Sequence, residues 1–81
     1  VGGGLAGMST AARLRSSASD VKIIVIEPEA NSCSYQPGQT LVGAGLWEKS
    51  DIIYKRDDFV PSDVTIVKEK AVQFDPDNNT I

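Results

Sequence analysis

Three glycines, Gly2, Gly4 and Gly7, constrain this chain more than any other feature. They spell G-x-G-x-x-G ahead of a helix-forming run over residues 8–15, and then of the apolar run Ile23-Ile24-Val25-Ile26, which ends on an acid, Glu27. A backbone that turns sharply from strand to helix beneath a diphosphate has no room for Cβ atoms at three points. Gly2 permits the turn, Gly4 lets phosphates approach the main chain, and Gly7 lets the helix pack against the strand. The free amides of the first helical turn and the helix dipole then hold the diphosphate without a lysine. No Gly-Lys-Ser/Thr follows, which excludes a nucleoside-triphosphate P-loop. Glu27 stands where a carboxylate accepts hydrogen bonds from ribose hydroxyls and repels a 2′-phosphate. The order predicts an α/β, Rossmann-like βαβ dinucleotide-binding unit with a parallel sheet, serving FAD or NAD rather than NADP. The bland alternative is a glycine-rich turn in an unrelated globular fold.

Composition narrows the function classes. Eleven acids against eight bases, a net charge of −3, leave no basic face for nucleic acid or anionic lipid. No apolar run approaches the ~18 residues needed to cross a bilayer, so the chain is expected to be soluble. One cysteine and no histidine rule out a disulfide framework and leave too few soft ligands for a zinc site. Val1 reads as the last residue of a first strand and Thr80-Ile81 as the start of another. The chain is therefore expected to be a piece of a larger enzyme, truncated at both ends.

Along the helix, Leu5, Met8, Ala11, Ala12 and Leu14 give a small, apolar inner face, with Arg13 and Arg15 toward solvent. Ser16-Ser17-Ala18-Ser19-Asp20 is expected to break it. Residues 21–27 read as a central strand buried on both faces, ended by Pro28. Residues 29–50 are long and low in regular signal, the kind of connection that serves a site or disguises a short helix. Within it Gln36 lies close after Glu27, and its amide can reach the same nucleotide; on position alone it is equally a solvent-facing loop glutamine. Residues 51–60 carry Ile52/Ile53, Arg56 and Phe59/Val60 at helical spacing, with Ser50 or Asp51 as N-cap and Pro61 as terminator. Val64-Thr65-Ile66-Val67 reads as a third parallel strand, and residues 71–75 as a strand entering a turn at Asp75-Pro76-Asp77-Asn78-Asn79, with Thr80-Ile81 beginning the return of a hairpin or meander.

Taken together, the segments Val1-Gly-Gly-Gly-Leu-Ala-Gly7, Val25-Ile-Glu-Pro28, Tyr35-Gln-Pro-Gly-Gln-Thr-Leu-Val-Gly-Ala-Gly45 and Phe74-Asp-Pro-Asp-Asn-Asn79 resemble the N-terminal FAD domain of sulfide:quinone oxidoreductases, closest to the mitochondrial-type branch. The Tyr35 to Gly45 string is the discriminating part. The resemblance implies that residues 1–81 are a partial FAD-binding domain of a flavoprotein that oxidises sulfide and passes electrons through FAD to quinone. It implies cofactor contacts at the glycine turn, with Leu5 and Ala6 presenting backbone amides, and at Glu27, Gln36 and the main chain of Ala71. Ala6 replaces a glycine common in the family, and the interval from Glu27 to Gln36 is one residue longer than in the mitochondrial pattern. The partners implied are the remainder of the parent enzyme, sulfide and a membrane quinone. The parent would be peripheral to a membrane, bacterial cytoplasmic or mitochondrial inner. The family's redox cysteines fall outside this chain, and Cys33 does not match one, so no catalytic residue is assigned. The same architecture serves type II NADH dehydrogenases and flavocytochrome sulfide dehydrogenase subunits. A module that binds NAD or FAD without turnover, or a fragment that holds no cofactor, is the alternative of another class.

Overall fold

The computed structural model describes residues 1–29 and 31–81; residue 30, inside the expected 29–50 connection, lies outside the described residues. Helix α1 (Leu5–Ser17) follows the glycine turn, and strand β1 (Ile23–Ile26) follows α1. Then come β2 (Ser32–Ser34), a 3₁₀ turn (Gln36–Gly38), the short helix α2 (Gln39–Gly43), a second 3₁₀ turn (Lys49–Ile52), β3 (Ile53–Lys55), a third 3₁₀ turn (Arg56–Asp58) and β4 (Val64–Val67). β1 and β4 run parallel, in register from Ile23 opposite Val64 to Ile26 opposite Val67. β2 and β3 form a separate antiparallel pair in which Cys33 faces Tyr54. The architecture is α/β and Rossmann-like.

The parallel pair forms because β-branched side chains alternate cleanly on it. Ile23 and Val25 are buried with Ala11 of α1, and Val64 and Ile66 of β4 pack onto the same cluster. The small side chain at Ala11 lets α1 lie close to the strands. The expectation of burial on both faces is corrected: Ile24 is 49% exposed and Thr65 is exposed, since among the described residues α1 covers only one face. The glycine turn joins this layer through its backbone, with Gly2 N donating to the Ile26 carbonyl at 2.8 Å. On the other side Glu27 N donates to the Val67 carbonyl at 2.9 Å.

α1 buries Met8 and Ala11, whereas Leu5, Ala12 and Leu14 are exposed. It runs through both Ser16 and Ser17, whose hydroxyls donate back to the Arg13 carbonyl at 2.9 Å instead of breaking the helix. Arg15 is half-buried rather than solvated. Its guanidinium donates to the Ser62 and Asp63 carbonyls at 3.1 and 2.9 Å, and to Ser19 at 3.1 Å. It clamps the end of the helix to the entry of β4.

Two further expectations are corrected. Residues 51–60 are not a helix: Ile53 and Tyr54 prefer extended backbone, and pairing with β2 captures them with Lys55 as β3, leaving only 3₁₀ turns on either side. Glu48, not Ser50 or Asp51, precedes the first of these turns, its amide donating to the Asp51 carboxylate at 2.8 Å. Residues 71–74 form no strand, because no neighbouring ladder is present for them among the described residues. The expected hairpin start survives as an isolated antiparallel bridge between Asp75 and Thr80, closed by two backbone bonds of 2.8 and 3.0 Å. The Asp75 carboxylate accepts from Asn78 twice, which holds the turn and keeps that acid below its ordinary pKa.

Candidate functional site

The glycine turn is built by steric necessity. Gly2 has φ +93°, in the region that L side chains rarely adopt. A Cβ on Gly7 would collide with the Gly2 carbonyl oxygen, so helix and turn approach each other only with glycine at that position. Gly4 caps α1 without a side-chain hydrogen bond, and a Cβ there would meet nothing within 4 Å. Open space therefore lies where the chain exposes the first-turn amides of Leu5 and Ala6, which have no partner within the helix.

Glu27 is brought to this turn by the end of β1. Its Oε2 accepts the Gly3 amide at 2.7 Å and its Oε1 accepts the Glu29 amide at 2.9 Å. These two bonds, the Gly3 bond first, hold the carboxyl below its ordinary value of 4.5, with the nearby Arg56 charge acting in the same direction against partial burial. An ionised carboxylate offers about four acceptor positions, so roughly half remain for a ligand's hydroxyls.

The turn, Glu27 and the start of the 31–60 segment enclose one polar cleft of about 390 Å³, with Gly4, Leu5, Glu27, Glu29, Gln36 and Arg56 in its walls. The structure thus brings Gly4, Leu5, Glu27 and Gln36 together, with Gly2 and Gly7 shaping the turn behind them. Ala6 follows Leu5 on the helix, outside the cleft wall. Ala71, half-buried beyond β4, is not part of that wall either. Cys33 lines the cleft and also an apolar groove of about 370 Å³ on its far side, formed by Leu5, Met8, Ala12, Tyr35 and Phe59. No group of three or more potential metal ligands occurs among the described residues.

Two residues escaped the sequence reading. Gly3 is the middle glycine of the Gly2-Gly3-Gly4 run and occupies an x position of the G-x-G-x-x-G pattern. It is buried, and a Cβ on it would lie 2.8 Å from Arg56 Nη1 and 2.9 Å from Glu27 Cβ. Arg56, assigned to a helix face at the sequence level, is 2% exposed. No local period marks it: Tyr54, midway between buried Ile52 and Arg56, is 40% exposed, and both buried residues lie in 3₁₀ turns flanking β3.

No protein-family model matches the chain. Over all 81 residues it is 36% identical to the mitochondrial sulfide:quinone oxidoreductase of Dictyostelium discoideum and 32% identical to that of Mus musculus. The chain matches a fragment of mitochondrial-type sulfide:quinone oxidoreductase. It spans 18% of the length of each of these relatives. Because the match covers the whole chain, the glycine turn, Glu27, Gln36 and Arg56 all lie within it. Among the described residues no helix is long and apolar enough to cross a membrane.

The cleft fits a dinucleotide on three structural counts. Space is open beside Gly4 next to the amides of a thirteen-residue helix. A carboxylate with its charge held on is fixed at the strand end. A buried guanidinium nitrogen, Arg56 Nη1, lacks a hydrogen-bond partner among the described residues.

Proposed function

We propose that the chain is the N-terminal FAD-binding part of a flavin-dependent oxidoreductase that oxidises sulfide and passes the electrons to a membrane quinone. The observation that carries this is the coincidence of a match along this whole chain, 18% of each relative's length, to mitochondrial sulfide:quinone oxidoreductases with a glycine turn and Glu27 in one cleft.

In this reading the first-turn amides of Leu5 and Ala6 hold the diphosphate, and the Gly4 backbone leaves room for it. Glu27 accepts hydrogen bonds from the adenosine ribose and disfavours a 2′-phosphate. Gln36 supplies a donor and an acceptor from the opposite wall, and the main chain of Ala71 reaches the adenine. Bound FAD supplies two-electron transfer from a sulfur adduct to quinone. The residues described here bind and orient, and none of them reacts.

The test uses the full-length protein that carries this chain. Its purified form is expected to contain FAD, and anaerobic sulfide is expected to bleach the flavin band. Bleaching by NADH with no response to sulfide would instead place the protein among NADH dehydrogenases.

A further inference from the structure

Arg56 is a buried charge with a spare donor. Its Nε donates to the Glu29 carbonyl at 3.0 Å and its Nη2 to the Ser32 carbonyl at 2.7 Å, while Nη1 has no partner among the described residues. Both acceptors are neutral, so neither bond cancels the charge. Burial of a guanidinium with an unmet donor costs stability, and such a group calls for an explanation outside packing.

Its place in the fold supplies one. Nη1 lies against Gly3, beside the stem of Glu27, and the residue forms part of the cleft wall. A continuous set of bonds links it to the carboxylate. Arg56 holds the Glu29 carbonyl, the Glu29 amide holds Glu27 Oε1, and the Gly3 amide holds Oε2. The other titratable groups in the same wall are Glu29 and Cys33. Neither supplies a positive charge.

We propose that Arg56 is a positioning residue of the nucleotide site: it fixes Glu27 and the segment after it against the glycine turn, and it gives the cleft a permanent positive charge suited to a ribose diphosphate. This rests on the FAD reading above. The cation acts mainly through Glu27. Without it the Glu29 segment loses its tether, and the carboxylate loses the amide that sets its second oxygen.

The experiment is a double-mutant cycle on the full-length protein, stripped of flavin and titrated with FAD by fluorescence quenching. Arg56→Gln is expected to weaken FAD binding about tenfold when Glu27 is present, and by less than about twofold in a Glu27→Gln background. A purely structural role would weaken both backgrounds equally, so equal losses, or no loss, overturn the proposal. Should Arg56→Gln fail to fold, Arg56→Lys keeps the charge without the fork, and the same non-additivity is expected at smaller size; additive losses there also overturn it. A wild-type protein that takes up no FAD overturns the cofactor reading itself. A wild type that binds FAD, with additive variants, overturns only the role of Arg56.

Discussion

The parallel layer and the 31–60 segment are built by different forces, and their two arginines show how. In the layer, α1, β1 and β4 close around Ala11, Ile23 and Val25, and Arg15 ties the outer end of that core to carbonyls at the half-exposed edge. In the 31–60 segment the buried residues are Gly38, Ile52 and Arg56. There the arginine is itself the interior, reaching the Glu29 and Ser32 carbonyls from beneath. One region is held by apolar burial with a polar clamp at its rim. The other is held by a polar anchor, by the β2–β3 pairing and by small apolar contacts such as Tyr54 against Phe59, and the cleft lies where the two regions meet. A ligand site between regions of different cohesion has one wall held by apolar burial and one in which a buried arginine is a main anchor.

The largest test of this division is Gly4→Val. A Cβ at Gly4 would meet nothing within 4 Å, so the α1–β1–β4 layer is expected to fold normally while the space for phosphate is filled. FAD content should fall from stoichiometric to near zero, with a melting temperature equal to that of the flavin-free wild type; full retention would remove the turn from the site. Glu27→Ala should then weaken FAD binding by about 1–3 kcal/mol, measured by titration of the flavin-free protein, through loss of charge-assisted bonds. An unchanged affinity would leave Glu27 a structural residue only.

The contrast in cohesion is sharpened by a pair of packing variants. A Cβ at Gly38 would lie 2.5 Å from Ile52 and 3.1 Å from the Trp47 ring, so Gly38→Ala should cost about 1–3 kcal/mol by overpacking. Ile23→Val in the layer should cost about 0.5–1.5 kcal/mol. Hydrogen exchange would show which region each loosens: Gly38→Ala is expected to expose β2 and β3 amides while sparing β1 and β4. Uniform loss of protection would mean that the two regions unfold as one.

The smallest effect is that of acid. Glu27 has a lowered pKa in the folded chain, so its contribution to stability is complete above its ordinary value of 4.5 and is lost as pH falls through the lower folded value. Melting temperatures measured downward from about pH 6 should decline less steeply in Glu27→Gln than in wild type. Parallel curves would show that the Gly3 and Glu29 bonds do not act through the charge.

Much of the first wall was legible in the residues themselves. The glycine spacing, the helix after it, the β-branched runs at 23–26 and 64–67 and the acid at their switch are local signals. Each survives because its neighbours in the chain demand the same conformation. The second wall was far less legible. Helical spacing over 51–60 lost to a pairing between Cys33 and Tyr54, residues whose meeting no local period encodes. The strand over 71–75 failed for the converse reason, lacking a partner among the described residues.

What the sequence alone determined is the turn: Gly2, Gly4 and Gly7 leave the backbone few other ways to pass from Val1 into α1, and Glu27 follows at the end of β1. Tertiary structure alone decided that Gly3 would donate to Glu27 across 24 positions, and that Arg56 would lie buried beneath both. The physical reason is the range of the forces. Steric limits on φ and Cβ act between near neighbours and can be read from the order of residues. The fate of a charge depends on which carbonyls and carboxylates the finished fold places around it.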